Sequence, residues 1–187
     1  MLIDADGTPV PYEVVEQGAH PTRAPFDASE LTESLGGGSG SASMWFQPQW
    51  EEGNKDDASL LEIGDGQLRL VKNVNFLRLE FIDAEGAEHG LGAPITGWTR
   101  GEWHQIAGSW DTDRFELYFD GVLVRETTIS GTFYLPEKPR LFMGSDFPDS
   151  RPVAPGMVGG LDVHRHPMSA DEAMRLYAWG NGRSDVR

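Results

Sequence analysis

Residues 114–127 read RFELYFDGVLVRET, two alternating runs joined by Asp120-Gly121. An Asp-Gly between apolar alternations is the strongest short-range pattern for a two-residue hairpin turn. Such a turn sets the register: Phe119 opposes Val122, Leu117 opposes Val124, and Phe115 opposes Glu126. Side chains alternate along a strand, so Phe115, Leu117, Phe119, Val122 and Val124 share one face. The other face carries Glu116 opposite Arg125 and Tyr118 opposite Leu123. A Glu116–Arg125 pair at that register is worth roughly 0.2–1 kcal/mol. One face is core and the other is mostly solvated, as in an antiparallel sandwich.

The rest of the chain repeats the pattern. Gly (23) and Pro (12) are abundant among the 187 residues, which with scarce helical periodicity indicates an all-β fold rich in turns. LGGGSGSAS feeds an apolar strand at Ser43–Phe46, and EEGNKDD (51–57) is a polar loop. A second hairpin forms around Asp65-Gly66, with Leu60, Ile63, Leu68 and Leu70 apolar. FLRLEFI turns Leu77, Leu79 and Phe81 inward. Further strands are expected at 140–144 and 159–166, separated by a long loop, 144–156. One short C-terminal helix follows: Ser169 and Glu172 form a capping box, Met168 and Ala173 staple the entry, and Gly180 is the C′ stop. Ala173, Leu176 and Tyr177 make its apolar stripe. The expected architecture is a two-sheet antiparallel β-sandwich over residues 31–180. An extended N-terminal arm (1–30) precedes it, and a polar tail (181–187) follows.

In the arm, Pro9, Pro11 and Pro21 have no amide to donate, so it cannot be an inner strand. Asp6-Gly7 suggests a small hairpin within it. DADG has part of the look of a calcium loop, but the first ligand position would be Leu2, so it reads as a turn. Leu2-Ile3 and the Tyr12–Val15 segment are short apolar pieces suited to a sheet edge or a neighbour's groove.

Thirty acidic and fifteen basic residues give a net charge of −15. Nucleic acid and anionic membrane are bound by neutralising phosphate with Lys and Arg, so neither is an expected partner. There is no cysteine, hence no disulfide framework and no thiol chemistry. No apolar run approaches the roughly 20 residues that span a bilayer. The start, MLIDADGTPVPYEVVEQG, shows no basic n-region or apolar h-region, so no signal peptide is visible.

The order SASMWFQPQW, LLEIGDG, GWTRGEWHQIAGSWD, FELYFDGVLV, LFMGS and GGLDVHRHPMSADEAMRLY resembles laminin-G-like, concanavalin-A-like jelly-roll domains over roughly residues 40–178. The most specific part is WHQIAGSWD followed by LYFDG. The resemblance implies two curved antiparallel sheets used for adhesion and carbohydrate binding, with some relatives cleaving glycans. It implies core positions for Trp45, Trp103 and Trp110, beside the Leu117 and Phe119 that the hairpin's alternation already turns inward. It also implies a structural calcium held by an acidic pair in the last strand. Those positions are Gly159 and Gly160 here, and Asp162 stands where Arg is usual, so no cofactor is firmly expected.

Four groups of residues invite a chemical reading. Laminarinase-type hydrolases on this fold set carboxylates along one strand face. Here Glu80 and Asp83 point to opposite faces and Glu85 lies in a turn, so no enzyme is expected. Asp162, His164 and His166 share one strand face at a spacing that can hold zinc, though a solvated outer face is the simpler reading. His104 follows Trp103 with no Ser or Cys nucleophile patterned nearby, which points to a local hydrogen bond. Trp50, beside a polar loop, and Trp98, beside Gly97, are the candidate exposed platforms for glycan contact, with Phe147 a third.

Two functions of different class follow. The first is a non-catalytic structural protein displayed on a larger assembly, such as a virion decoration or tail protein. It would contact a protein partner or identical subunits through its arm. The second is a free or enzyme-attached carbohydrate-binding module. Either places the chain outside cells or on a particle surface.

Overall fold

A computed structural model of the chain describes residues 2–3, 9–10, 26–27, 38–64, 66–131, 133–135, 140–143 and 155–181. Along them run β1 (Leu2–Ile3), β2 (Pro9–Val10), β3 (Phe26–Asp27), β4 (Gly40–Pro48), β5 (Ala58–Ile63), β6 (Leu68–Asn73) and β7 (Phe76–Ile82). Then come β8 (Glu88–Pro94), β9 (His104–Trp110), β10 (Arg114–Phe119), β11 (Val122–Thr128), β12 (Arg140–Met143), β13 (Gly156–His164) and one helix, α1 (Ala170–Asn181). A seven-stranded sheet has the order β11-β10-β9-β4-β13-β1-β2, and a six-stranded sheet the order β3-β12-β5-β6-β7-β8. The pairings are antiparallel except β1 with β13.

Alternation sets what lies between the sheets. Leu68, Leu70, Leu77, Leu79 and Phe81 face Met44, Phe46, Ile106, Trp110, Phe115 and Leu117 in one continuous core. Burying each such side chain stabilises by roughly 1.5–3 kcal/mol. Phe81 sits at its centre, edge-on to Phe115 at 5.0 Å and to Phe133 at 5.7 Å.

The hairpin forms with Phe119 opposite Val122 and Tyr118 opposite Leu123. A bulge between Leu117 and Tyr118 then shifts the pairing, so Leu117 opposes Arg125 and Glu116 opposes Glu126. The expected Glu116–Arg125 pair is therefore not made. Arg125 Nε donates instead to the Gly92 carbonyl of the other sheet, and Glu116 accepts from Arg114 and from Tyr118 Oη. β11 is an edge strand, and the extra residue lets it bend and twist. Val122, expected in the core, is 54% exposed, while Val124 packs partly against it.

The helix caps as expected: Glu172 N–H donates to Ser169 Oγ at 3.3 Å, and Ser169 N–H to Glu172 Oε2 at 3.1 Å. Ala173 and Leu176 pack on Ala107, Tyr118 and Met168, a small second core on the outer face of the seven-stranded sheet. Gly180 is not the C′ stop, because the helix runs through it to Asn181. Its role is close approach: a Cβ there would stand 2.4 Å from the Trp45 ring.

The described parts of the arm join the chain's own sheets. β1 and β2 form the small hairpin and extend the seven-stranded sheet through Ile3 opposite Asp162, and β3 pairs with β12. Of these described strands β2, which carries Pro9, and β3 are the edge strands of the two sheets, and an edge is where a proline is tolerated. Pro11 and Pro21 lie outside the described residues. β8 was not anticipated, since EHGLGAP has loop composition. Gly92 is needed there because a Cβ would stand 2.9 Å from Cγ of Arg78. Among the described residues, no helix is long and apolar enough to cross a membrane.

Candidate binding pocket

The Trp-His and Asp-Gly motifs are one structural clamp. His104 Nδ1 lies 2.9 Å from Asp120 Oδ2, and Asp120 Oδ1 accepts from the Gln105 amide at 2.8 Å. The His104 ring lies flat on Trp98, with centroids 4.0 Å apart and planes 5° from parallel. Its other nitrogen, Nε2, is buried with no partner among the described residues. Asp120 holds a left-handed φ of 50° to aim its carboxylate back at β9.

The carboxylates of β7 and its turn are also occupied by the fold. Glu80, on the outer face, pairs with Arg69 at 3.3 Å and Arg78 at 3.1 Å. Asp83, 2% exposed, accepts from the amides of Glu85 and Ala87 through Oδ1 and meets His89 Nε2 through Oδ2 at 2.8 Å. That histidine contact and the amides hold its carboxyl below the ordinary carboxylate range. Glu85 is exposed in the turn. The three do not converge on a common point.

Asp162 and His164 lie on the outer side of β13, and His166 falls beyond the strand's end. His166 pairs with Glu172 at 3.0 Å, and burial pushes the His164 imidazole down. Among the described residues, no three His, Cys, Asp or Glu side chains stand together as a metal site. Gly159 and Gly160 form a bulge against Trp45 and Trp103 and bring no carboxylate.

The tryptophans are distributed differently from expectation. Trp110 is in the core, but Trp45 points outward, half-buried and stacked on Tyr177 at 5.8 Å. Met44 and Phe46 take the inward positions of β4, so Trp45 has to face the helix. Trp103, also expected in the core, is 39% exposed and lies across Gly159. Trp98 and Trp50 are buried, at 8% and 6% exposure, so neither is an open platform. Phe147 lies outside the described residues.

Trp50 nevertheless lines an open pocket of about 290 Å³ with Asn54, Asp56, Asp57, Ala58, Lys72 and Pro155. It stacks on Phe46 at 5.2 Å, which fixes it as a wall. The 51–57 loop folds over this end of the sandwich: Asp56 N–H donates to Asn54 Oδ1 at 3.1 Å, and Asn54 Nδ2 donates to Asp56 Oδ2 at 2.8 Å. Asp57 Oδ1 accepts from the Val74 amide at 3.1 Å, tying the loop to the β6–β7 turn.

Lys72 is the residue that sequence reasoning passed over. It follows Leu68 and Leu70 on the inward face of β6 and is only 1% exposed. Its Nζ donates to Asn54 O (3.0 Å), Asn54 Oδ1 (3.0 Å), Asp56 O (2.6 Å) and Val74 O (2.5 Å), and stands 5.4 Å above the Trp50 ring. Burial pushes its pKa down, and Asp56 and Asp57 pull it back up. The available signal was a lysine in phase with two core leucines. A second open pocket, about 380 Å³ and lined by Ser109, Asp111, Asp113, Arg114 and Glu116 among others, has no aromatic wall.

The family model Laminin_G_3, the concanavalin A-like lectin/glucanases superfamily, matches residues 24–174. No functionally curated protein matches the chain. Among solved structures, the botulinum neurotoxin serotype G binding domain superposes with a TM-score of 0.63 at 12% identity, over 82% of this chain and 39% of that one. The serotype D ligand-binding domain in complex with N-acetylneuraminic acid gives 0.59 at 12% identity, over 75% of this chain and 36% of that one. The serotype G receptor-binding domain gives 0.61 at 11% identity, over 76% and 38%. The likeness is one of fold, and this chain spans under two fifths of each of those structures.

Proposed function

Because the chain belongs to the concanavalin A-like lectin/glucanase superfamily, we propose that it is a non-catalytic binding module that takes a neutral glycan in the Trp50 pocket. The observation that supports this is the pocket itself, where an aromatic wall and the polar side chains Asn54, Asp56 and Asp57 line one open space. Small-ligand sites combine apolar walls with a few placed polar groups in this way. Carboxylates and an amide suit hydroxyl groups. The serotype D relative was crystallised with an anionic sugar. Asp56, Asp57 and a net charge of −15 make an anionic glycan a poor ligand here.

Titration calorimetry with neutral and sialylated oligosaccharides tests the reading. Neutral sugars bind, and Asp57→Asn weakens them by about tenfold, or ~1.4 kcal/mol. Binding of sialylated ligands alone, or unchanged binding by Asp57→Asn in a correctly folded variant, refutes it.

A second reading is a displayed component of a larger assembly, on a particle or outside the cell. It is favoured by Val122, Leu123 and Met174, exposed at 54%, 39% and 45%, on the hairpin turn and the helix that packs against it. Exposed apolar groups of this kind suit a protein contact. Sedimentation of the full chain beside Leu123→Glu and a 1–25 deletion decides it. A single monomeric species in all three counts against contact between identical subunits.

A further inference from the structure

We propose that the Lys72 ammonium is the resident cation of the pocket, seated in an oxygen cage of the kind that otherwise holds a metal ion. The cage has a chemical class of ligand: a primary ammonium. Three observations carry this. An ammonium has three protons to donate, yet four oxygens lie within 3.0 Å of Nζ: the carbonyls of Asn54, Asp56 and Val74, and the Asn54 side-chain oxygen. All four are neutral oxygens, the donor type that hard cations take from loops, and the Trp50 ring closes another side at 5.4 Å. Finally, Val74, β-branched and 40% exposed, adopts a φ of 55°. That conformation is disfavoured for such a residue, and here its carbonyl faces Nζ.

The cage joins two segments that the Asp57 Oδ1–Val74 amide bond also ties together. Asn54 and Asp56 come from the loop before β5, and Val74 from the turn between β6 and β7. The ammonium is the shared centre of both. The carboxylates of Asp56 and Asp57 also favour its charge, although the cage takes Asp56 through its backbone carbonyl. A metal bound here would make the pocket depend on divalent ions. A cation tethered to β6 removes that dependence and holds the 51–57 loop in place whether or not ligand is present.

The test is chemical rescue of Lys72→Ala, read by thermal melting, which does not depend on the glycan reading above. The variant melts lower than the parent. n-Propylammonium chloride, which can place its ammonium in the vacated cage, raises its melting temperature toward the parent's. Tetramethylammonium chloride at equal concentration, with no N–H to donate, does not. Parent melting is unchanged by EDTA or by added calcium. Equal effects of the two ammonium salts on the variant overturn the proposal, as does a variant that melts like the parent. If Lys72→Ala does not fold, the parent supplies the readout. A caged ammonium gives a slowly exchanging ¹H–¹⁵N signal from Lys72, and its absence at low temperature and mildly acidic pH, in a protein whose other amides are protected, refutes the cage.

Discussion

Asp120→Ala should be among the most costly substitutions at a partly exposed position in this protein. The carboxylate makes two contacts, 2.8 Å to the Gln105 amide and 2.9 Å to His104 Nδ1. Gln105 is 1% exposed, so its amide has little access to water once the carboxylate is gone. An orphaned buried donor costs ~1–3 kcal/mol. The His104 contact adds less, because the Asp120 side chain is 30% exposed and solvent screens it. Alanine must also keep a φ of 50°, where aspartate is more at ease, at a further ~1 kcal/mol. The sum is about 2–4 kcal/mol, or several degrees of melting temperature for a domain of this size. Urea unfolding followed by tryptophan fluorescence gives the number, with an unchanged m-value required for the comparison. Asp120→Gly removes the carboxylate but relieves the backbone, so it should cost ~1 kcal/mol less than alanine. A loss below about 1 kcal/mol for Asp120→Ala, or glycine worse than alanine, refutes the clamp.

Glu172 has its pKa lowered to about 2 by the Ser169 amide and then by His166. A depressed carboxylate stabilises above its unfolded value and loses that contribution as the proton returns. The helix cap should therefore weaken as pH falls from 4.5 toward 2, by no more than ~0.5–1 kcal/mol at so exposed a site, and Glu172→Gln should abolish this part of the acid dependence in circular dichroism. Gly180→Ala should destabilise by ~1–3 kcal/mol although alanine is the better helix former, because its Cβ would meet the Trp45 ring at 2.4 Å; a rise in melting temperature would show that the helix slides freely. Trp110→Ala should cost ~3–5 kcal/mol and Trp103→Ala well under half of that, since they are 1% and 39% exposed; equal losses in denaturant would restore Trp103 to the core.

Much of the fold was legible because strands and turns leave local marks. Leu77, Leu79 and Phe81 alternate inward as FLRLEFI requires, and the Ser169–Glu172 box starts the helix where expected. Misreadings came where a residue's role depends on a distant partner. Gly180 looks like a helix stop, but it is the surface on which Trp45 rests. Gly90 and Gly92 made β8 look like a loop, although Gly92 is there to let Arg78 cross it. The Glu116–Arg125 register failed through one bulge, which nothing between Phe115 and Glu126 announces.

The sequence by itself determined the class of fold, the inward alternation of strands such as Leu77, Leu79 and Phe81, the lack of thiol chemistry and the net negative charge. Those depend on period, composition and charge, which are properties of short windows or of simple sums. The tertiary structure decided which aromatic residues are exposed and where polar groups converge. Trp45 and Trp103 exchange core for surface because strand phase and a neighbouring glycine place them, and neither can be read from the residue type. Lys72 is the plainest case. Along β6 it is a charge in a core position, which counts against the strand. In three dimensions it meets three carbonyls and an amide oxygen from segments up to 18 residues away. Desolvation of a charge is compensated only by partners that the folded chain brings to it.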